Sequence, residues 1–282
     1  MKVADVMTAR ADVVTVSLPG TRDDVLAYLQ EREFSSVPVV KATDGGERYR
    51  GLVSREDLIE SPDEDQLALL MRDVPTTTGE TDVVEVGRLM AAESARRVPV
   101  VDGEALVGIV TVTDVVRAIA DGEVDGDALV GDLARRDVNT TYVGTPLPVA
   151  EREIAHAMVP YAVVLDDDGD MTGILTEVDV IDVARVVEGE DDVGAGVAGE
   201  DDEWMWEGIK ATGNRYFPTR NVELPSGSVG EFMSADPVTV TRRRTAREAA
   251  QRMLEEDVEQ LPLVGGDDLA GIVRDVDLVA AL

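Results

Sequence analysis

The feature that most constrains the fold is a short motif that occurs four times in the chain. Each copy has a glycine followed by apolar residues, and an aspartate stands six positions after that glycine. The four motifs are Gly51–Asp57, Gly108–Asp114, Gly173–Asp179 and Gly271–Asp277. Upstream of each motif lies a second recurring apolar block, at Val37–Val40, Val98–Val101, Tyr161–Val164 and Leu261–Val264. Two markers in the same order at four places indicate a duplicated structural unit.

Within each copy the local patterns follow one order. A β-branched run is followed by a segment with apolar residues three and four apart, then by two apolar strands joined at a glycine-containing turn. The motif aspartate then lies in the first turn of a closing helix. This pattern predicts an α/β (α+β) fold of four β-α-β-β-α repeats, at residues 1–60, 66–122, 127–188 and 228–282. Because a unit this short leaves much of its apolar surface exposed, we expect copy one to pair with copy two and copy three with copy four.

One segment, residues 189–227, does not belong to the repeat. It begins with an acidic, glycine-rich stretch that is typical of a linker. An aromatic insert follows between Trp204 and Arg220, and it contains both tryptophans of the chain. We expect this insert to be covered, either as a mobile element over a ligand or partner, or as a fixed segment that seals the second module.

The recurring aspartate has two interpretations. A hydroxyl at a helix start with an acid three residues later resembles a capping box, and Ser54, Thr111 and Thr176 supply that hydroxyl. The same geometry suits a nucleotide, since free N–H groups and a hydroxyl bind phosphate and a carboxylate accepts ribose hydroxyls. Copy four separates the two because Arg274 replaces the hydroxyl, which should remove the cap, while Asp277 remains. The residues alone leave both interpretations open.

The strand order, the mid-repeat Pro-Val-Val and the terminal Gly-to-Asp motif resemble cystathionine β-synthase (CBS) domains, which pair into Bateman modules. The two-module arrangement is similar to archaeal relatives of the γ subunit of AMP-activated protein kinase. The resemblance implies ribose contacts from the motif aspartates and phosphate contacts from the preceding residues. The implied ribose residues are Asp57, Asp114, Asp179 and Asp277, and the implied phosphate residues are Ser54, Thr111, Thr176 and Arg274. Arg274 is equally compatible with blocking its site.

In this family, basic residues often stand two and three positions before the mid-repeat proline and point at phosphates. Here only copy two has them, as Arg96 and Arg97, so the four sites are not expected to be equivalent. The other arginine-rich position is Arg242-Arg243-Arg244, between the first strand and helix of copy four. It is either a solvated turn or a phosphate-binding cluster. We rank the site of Thr111, Asp114, Arg96 and Arg97 first.

The net charge of the chain disfavours some classes of binding partner. The chain has 58 acidic and 26 basic residues and a net charge of -32, and nearly all of its bases are arginine. This composition resembles proteins of extreme halophiles, in which concentrated salt screens the self-repulsion. It disfavours binding to nucleic acid or to an anionic membrane surface. Because the whole surface repels anions, local arginines would have to bind a phosphate.

The functional expectation is a non-catalytic regulatory module. The chain has no cysteine, a single histidine and no phosphate-binding Gly-Lys loop, so we expect no enzymatic activity and no required cofactor. The resemblance implies AMP, ADP or ATP as regulatory ligand, with S-adenosylmethionine possible, a homodimer formed through the CBS modules and an unknown regulated protein. The alternatives are a ligand-free oligomerisation scaffold and a divalent-cation sensor. Without an apolar leader at the start, we expect a cytoplasmic protein.

Overall fold

The computed structural model describes residues 1–31, 36–43, 46–54, 57–58, 64–183, 185–186, 222–266 and 268–282. It contains two compact units, one made of Met1–Asp137 with Val238–Leu282 and the other of Val138–Pro237. The predicted linker and the aromatic insert with Trp204 and Trp206 lie outside the described residues as far as residue 221. No helix within the described ranges is both long enough and apolar enough to span a bilayer.

The elements follow the predicted order, and each copy begins with a short additional segment. Copy one contains α1 (Val3–Val6), β1 (Thr8–Ala9), β2 (Val16–Leu18), α2 (Arg22–Glu31), β3 (Ser36–Thr43), β4 (Gly46–Ser54) and the helical residues Asp57 and Leu58. Copy two contains α3 (Leu67–Leu70), α4 (Val83–Glu93), β5 (Arg97–Asp102), β6 (Ala105–Thr111) and α5 (Val112–Ala120). In copy two the first strand is reduced to a single parallel bridge between Thr77 and Val100.

The second half of the chain repeats this order. Copy three contains α6 (Val130–Leu133), β7 (Thr140–Tyr142), α7 (Leu147–Ala157), β8 (Tyr161–Leu165), β9 (Met171–Thr176) and α8 (Glu177–Val183). A short pair follows, β10 (Arg185–Val186) with β11 (Val222–Glu223). Copy four contains β12 (Ser234–Ala235), β13 (Val240–Thr241), α9 (Ala246–Glu255), β14 (Gln260–Gly265), β15 (Asp268–Arg274) and α10 (Asp275–Ala280). The predicted β-α-β-β-α order is therefore confirmed.

The strands of the four copies also pair in the same way. Where a first strand is present it lies parallel to the second, and the second and third strands form an antiparallel hairpin. Each hairpin has a shift of register close to the motif glycine. The shifts fall at Val39/Val40, Val100/Val101, Val164/Leu165 and Leu263/Val264. An irregularity that recurs at one position of every repeat is a designed feature of the unit.

The short segment that opens each copy does not pack on its own copy. We name residues 1–9, 66–72, 129–135 and 228–235 the opening segments. The segment of copy one pairs with copy two, through Lys2 with Asp82 and β1 with β6, and the segment of copy two pairs with copy one, through Gln66 with Thr21 and Arg72 with Leu52. Copies three and four make the same reciprocal exchange, through Arg135 with Ile272 and Ser234 with Ile174. The exchange joins the copies in the pairs that the sequence predicts.

The exchange explains the motif glycine. A Cβ atom on Gly108 would lie 2.6 Å from the carbonyl oxygen of Thr8, and one on Gly51 would lie 2.6 Å from that of Arg72. In copy four the corresponding distance, from Gly271 to the carbonyl oxygen of Arg135, is 2.5 Å. Real Cβ atoms do not approach backbone oxygen so closely. The opening segment can therefore dock only where the strand has no side chain.

Three apolar cores stabilise the units. In the first unit, one core is formed by copy one and the opening segment of copy two. A larger core joins copies two and four, where the helices α4 and α5 pack against α9 and α10. Val115, Ile119, Ala250 and Leu278 are all buried in this joint core. The unit Val138–Pro237 has its own core around α7 and β8. Burying each large aliphatic side chain contributes about 1.5–3 kcal/mol.

The glycine contact leads to a stability prediction. We expect Gly108→Ala to lower the free energy of unfolding by about 1–3 kcal/mol, because the added methyl group displaces the opening segment from β6. Denaturant titration measures this change. The matched control is Gly265→Ala, at the end of β14, where the nearest atom to a new Cβ is the Ala270 Cβ at 4.0 Å. An equal loss in both variants would contradict the role given to the glycine.

Candidate functional site

Each motif aspartate caps its helix through one carboxylate oxygen. The Oδ2 atom of Asp114 accepts the backbone N–H of Thr111 at 2.8 Å and the Thr111 hydroxyl at 2.7 Å. Asp57 and Asp179 receive the same two bonds from Ser54 and Thr176. The capping interpretation is therefore correct for Oδ2 in these copies. Only Oδ1 remains for any further contact.

Copy four retains the acidic half of this arrangement. Asp277 accepts the backbone N–H of Arg274 at 2.9 Å, and the Arg274 Nε lies 3.5 Å from the same oxygen. The expectation that Arg274 removes the cap was wrong in this respect. The substitution removes the hydroxyl, but the backbone bond does not depend on the side chain at that position.

The second oxygen, Oδ1, is bound by the exchanged opening segment in three copies. Asp57 pairs with Arg72 Nε, Asp277 with Arg135 Nε at 3.2 Å, and Asp179 with the Ser234 hydroxyl at 3.2 Å. These three partners occupy one structural position, since each stands opposite the residue after the motif glycine. In copies one, three and four, the helix cap and the exchange together engage both carboxylate oxygens.

Copy two is different at this position. Thr8 stands opposite Ile109 where the other copies have Arg72, Arg135 and Ser234. Among the described contacts, the Oδ1 of Asp114 has one partner, the Arg117 guanidinium at 3.5 Å, which is itself 56% exposed. Asp114 is therefore the motif aspartate whose second oxygen is least engaged by the protein.

Two arginines lie beside the start of α5. Arg96, Arg97, Thr111, Val112 and Thr113 line a cavity of about 50 Å³ together with Glu259 of copy four. The structure thus places Arg96 and Arg97 beside Thr111, and their role in binding a ligand remains a prediction. A cavity of this size has room for a few water molecules or for one small polar group.

The two arginines differ in their partners. Arg96 makes a bidentate ion pair with Asp275, at 2.6 and 3.2 Å, and contacts Glu259 at 3.1 Å. Burial opposes its charge, but the hydrogen bonds and charges of Asp275 and Glu259 outweigh burial and raise the pKa of the guanidinium. Arg97 has no carboxylate within ion-pair distance among the described residues, and its NH1 lies 3.4 Å from the Ser36 hydroxyl. Burial lowers the pKa of Arg97, and the charge of Arg96 lowers it further.

The remaining predicted phosphate residues lie elsewhere in the first unit. In the turn before α9, Arg244 pairs with Glu248 at 2.5 Å, and the backbone of Arg242 packs against Gly131. Arg242, Arg243 and Arg244 do not line the cavity beside Arg96. Their role in phosphate binding remains a prediction.

Two further features bear on the choice of site. A larger cavity of about 410 Å³ lies at the hairpin turns of copies one and two, lined by residues such as Glu47, Arg48 and Glu104. It lies at the opposite ends of the strands from the aspartates.

Within the described residues no group of three or more His, Cys, Asp or Glu side chains converges to bind a metal ion.

The sequence did not indicate which side chains contact the motif aspartates and Arg96. Glu259 stands three residues before Pro262, and Arg96 stands three residues before Pro99, so opposite charges occupy equivalent positions of two copies. The acidic residue of copy four appears in the sequence only as a departure from the basic pattern. The opposite charges of Arg96 and Glu259 were the one signal in the sequence that copies two and four are in contact.

Comparison with known proteins shows the family and the fold. An uncharacterised protein of Methanocaldococcus jannaschii, MJ1404, is 27% identical over 278 residues, which cover 98% of this chain but only 61% of the relative's length. An uncharacterised conserved protein of Pyrococcus horikoshii is 27% identical and superposes with a TM-score of 0.70 over 100% of this chain and 99% of its own. The M. jannaschii protein MJ1225, described as a proposed archaeal homologue of γ-AMPK, is 19% identical with a TM-score of 0.66 over the same shares. At that identity the likeness shows the fold alone.

The match to a family model is direct and covers most of the chain. The CBS domain model matches four segments, residues 3–64, 67–121, 130–185 and 229–282. These segments contain the four motif aspartates and all four opening segments apart from a few terminal residues. The chain therefore belongs to the CBS domain family and carries four copies of that domain.

Proposed function

We propose that the chain is a non-catalytic regulatory module that binds an adenosine nucleotide, AMP, ADP or ATP, or a related adenosyl ligand at copy two. The observation that carries the proposal is the Oδ1 of Asp114, which the exchanged segment does not bind. A carboxylate at a helix start accepts the two hydroxyl groups of a ribose, and this requires an oxygen that no opening segment binds and that only an exposed side chain, here Arg117 at 3.5 Å, contacts in the described structure. Asp114 is the motif aspartate that offers one.

The groups around Asp114 suit the phosphate end of such a ligand. The start of α5 supplies the positive end of the helix dipole, and Arg97 supplies a cation without a carboxylate partner in the described structure. The Thr111 hydroxyl proton is already donated to Asp114, so Arg97 is the main phosphate donor in this proposal. A partly buried guanidinium that lacks a counter-ion is costly, and a phosphate would neutralise it. In a chain of net charge -32, this local positive charge is what would attract an anion.

The scaffold alternative is supported at the other three copies. Asp57, Asp179 and Asp277 have both oxygens bound by the chain itself. At these positions the aspartate joins a helix start to an exchanged segment. We propose that these three act structurally, and that sensing is confined to copy two.

Transmission to a partner follows if the ligand stabilises one arrangement of the copies over another. The regulated protein and a homodimer formed through the CBS modules belong to this proposal. A ligand at copy two would contact the elements through which copies one and four pack on copy two, because Arg97 reaches Ser36 and Arg96 reaches Asp275.

Substitution of the ribose residue tests the proposal. We expect Asp114→Asn to weaken the affinity for AMP at least tenfold, because the amide presents a donor where the diol needs an acceptor. The amide oxygen can still accept the Thr111 N–H, so the loss of stability should stay near 1 kcal/mol. Calorimetric titration with AMP, ATP and S-adenosylmethionine in concentrated salt measures the affinity, and thermal unfolding measures the stability.

The matched control is Asp179→Asn, the same change at copy three, where Ser234 binds Oδ1. It should leave AMP binding unchanged at a similar cost in stability. If both variants bind AMP like the wild type, or if the wild type binds none of the three ligands, the assignment of copy two as the sensor is wrong.

A second substitution tests the phosphate end. We expect Arg97→Gln to weaken AMP and ATP binding about tenfold and to leave adenosine binding nearly unchanged, because only the phosphate contact is lost. Arg243→Gln removes the same charge from an exposed position of the arginine-rich turn and should affect neither ligand. A larger effect from Arg243→Gln would place the phosphate at Arg242–Arg244 instead.

A further inference from the structure

The Arg96 guanidinium lies between the copy-two cavity and two carboxylates of copy four. Asp275 binds it in bidentate fashion, and the Glu259 Oε1 lies 3.1 Å from NH2. Glu259 also lines the cavity with Arg97 and Thr111. One cation therefore serves both as a wall of the candidate phosphate site and as a link between two copies.

The two carboxylates are held very differently. Asp275 is 5% exposed, is the first residue of α10, and also accepts the backbone N–H of Val276 at 2.7 Å. The Glu259 side chain is 60% exposed, and Arg96 is its one described ion-pair partner. Exposed ion pairs contribute little, about 0–1 kcal/mol, whereas removal of one partner from a buried pair is costly. Asp275 therefore fixes the guanidinium in place, and Glu259 can leave it at small cost.

A phosphate in the cavity would meet Glu259 directly. The cavity of about 50 Å³ is lined by Arg96, Arg97, the Thr111 start of α5 and a single acidic residue, Glu259. Glu259 places one carboxylate oxygen on Arg96, as a phosphate group would. Two anions bound to the same small group of cations repel each other, so occupation by one disfavours the other.

We propose that Glu259 is an autoinhibitory competitor, a carboxylate of copy four that occupies the phosphate position of copy two and that a ligand phosphate must displace. This inference rests on the proposed function. The inference goes beyond the proposed function because it assigns control of the ligand affinity at copy two to a residue of copy four.

Displacement of Glu259 reaches the fourth copy through its backbone. The carbonyl oxygen of Glu259 accepts the N–H of Asp275 at 2.9 Å, and Asp275 begins the helix that carries Asp277. Movement of Glu259 therefore acts on the start of both β14 and α10. If a second molecule binds copy four and withdraws Glu259 from Arg96, it raises the ligand affinity at copy two. By linkage, the ligand then raises the affinity for that second molecule by the same factor.

The test compares two glutamate substitutions in the full chain. Calorimetric titration with AMP and with ATP is made on the wild type, Glu259→Gln and Glu255→Gln at about 0.5 M and about 3 M NaCl. We expect Glu259→Gln to bind about fivefold more tightly at the lower salt concentration, because the competing charge is gone. The gain should shrink at the higher concentration, where an exposed charge is screened. Glu255→Gln, an equal charge change on α9, should match the wild type at both.

The outcomes separate this inference from the function on which it rests. Equal affinities of the wild type and Glu259→Gln would overturn the competitor and leave the nucleotide site intact. An equal gain in Glu255→Gln would also overturn it, because the effect would then come from net charge. Absence of binding in every protein, including the one without the competing carboxylate, would overturn both proposals. If Glu259→Gln does not fold, Glu259→Asp takes its place, since the shorter side chain withdraws the carboxylate from Arg96 and should also tighten binding.

Discussion

The close approach between a motif glycine and the backbone of an exchanged segment is the contact on which the rest of the structure depends. It allows β1 to lie on β6 and Arg135 to bridge to Ile272, and it thereby binds each copy to its partner in the pair. The same contact decides the chemistry of the helix starts, because the residue whose carbonyl oxygen docks on the glycine places its own side chain beside the motif aspartate in copies one, three and four. Fold and site are thus set by one geometric requirement, a strand position without a Cβ atom.

This requirement makes four similar units chemically unequal. A single residue in each opening segment, Arg72, Arg135, Ser234 or Thr8, decides whether the second aspartate oxygen is bound by the chain. Copy two, which receives Thr8 from the opening segment of copy one, is also the copy with two adjacent arginines. A duplicated sequence can therefore keep its architecture while its potential binding sites diverge through changes outside the motif itself.

The sequence was sufficient for the repeat, its element order and the capping geometry, because these depend on residues a few positions apart. It was also sufficient to place Arg96 and Arg97 beside Thr111, since the mid-repeat strand and the motif strand are neighbours in one hairpin. It could not reveal that Asp275 binds Arg96, because those residues are 179 positions apart and no local pattern joins them. Nor could it show the opening segments leaving their own copies, since their pattern is the same whichever copy they dock on. The misjudged cap in copy four came from treating a backbone bond as a property of the Ser or Thr side chain.

The compact unit that contains copies one, two and four is interrupted in sequence by the whole of Val138–Pro237. The apolar faces of α4 and α5 are covered by α9 and α10, so they have no partner on the growing chain until copy four has been synthesised. The intervening unit is continuous and can close first, whereas the joint core must form by contacts across more than a hundred residues, a slow class of folding step. During translation, therefore, copy two exposes its helical face while more than half of the chain is still being made, and an exposed apolar face of this kind favours self-association of the nascent molecule.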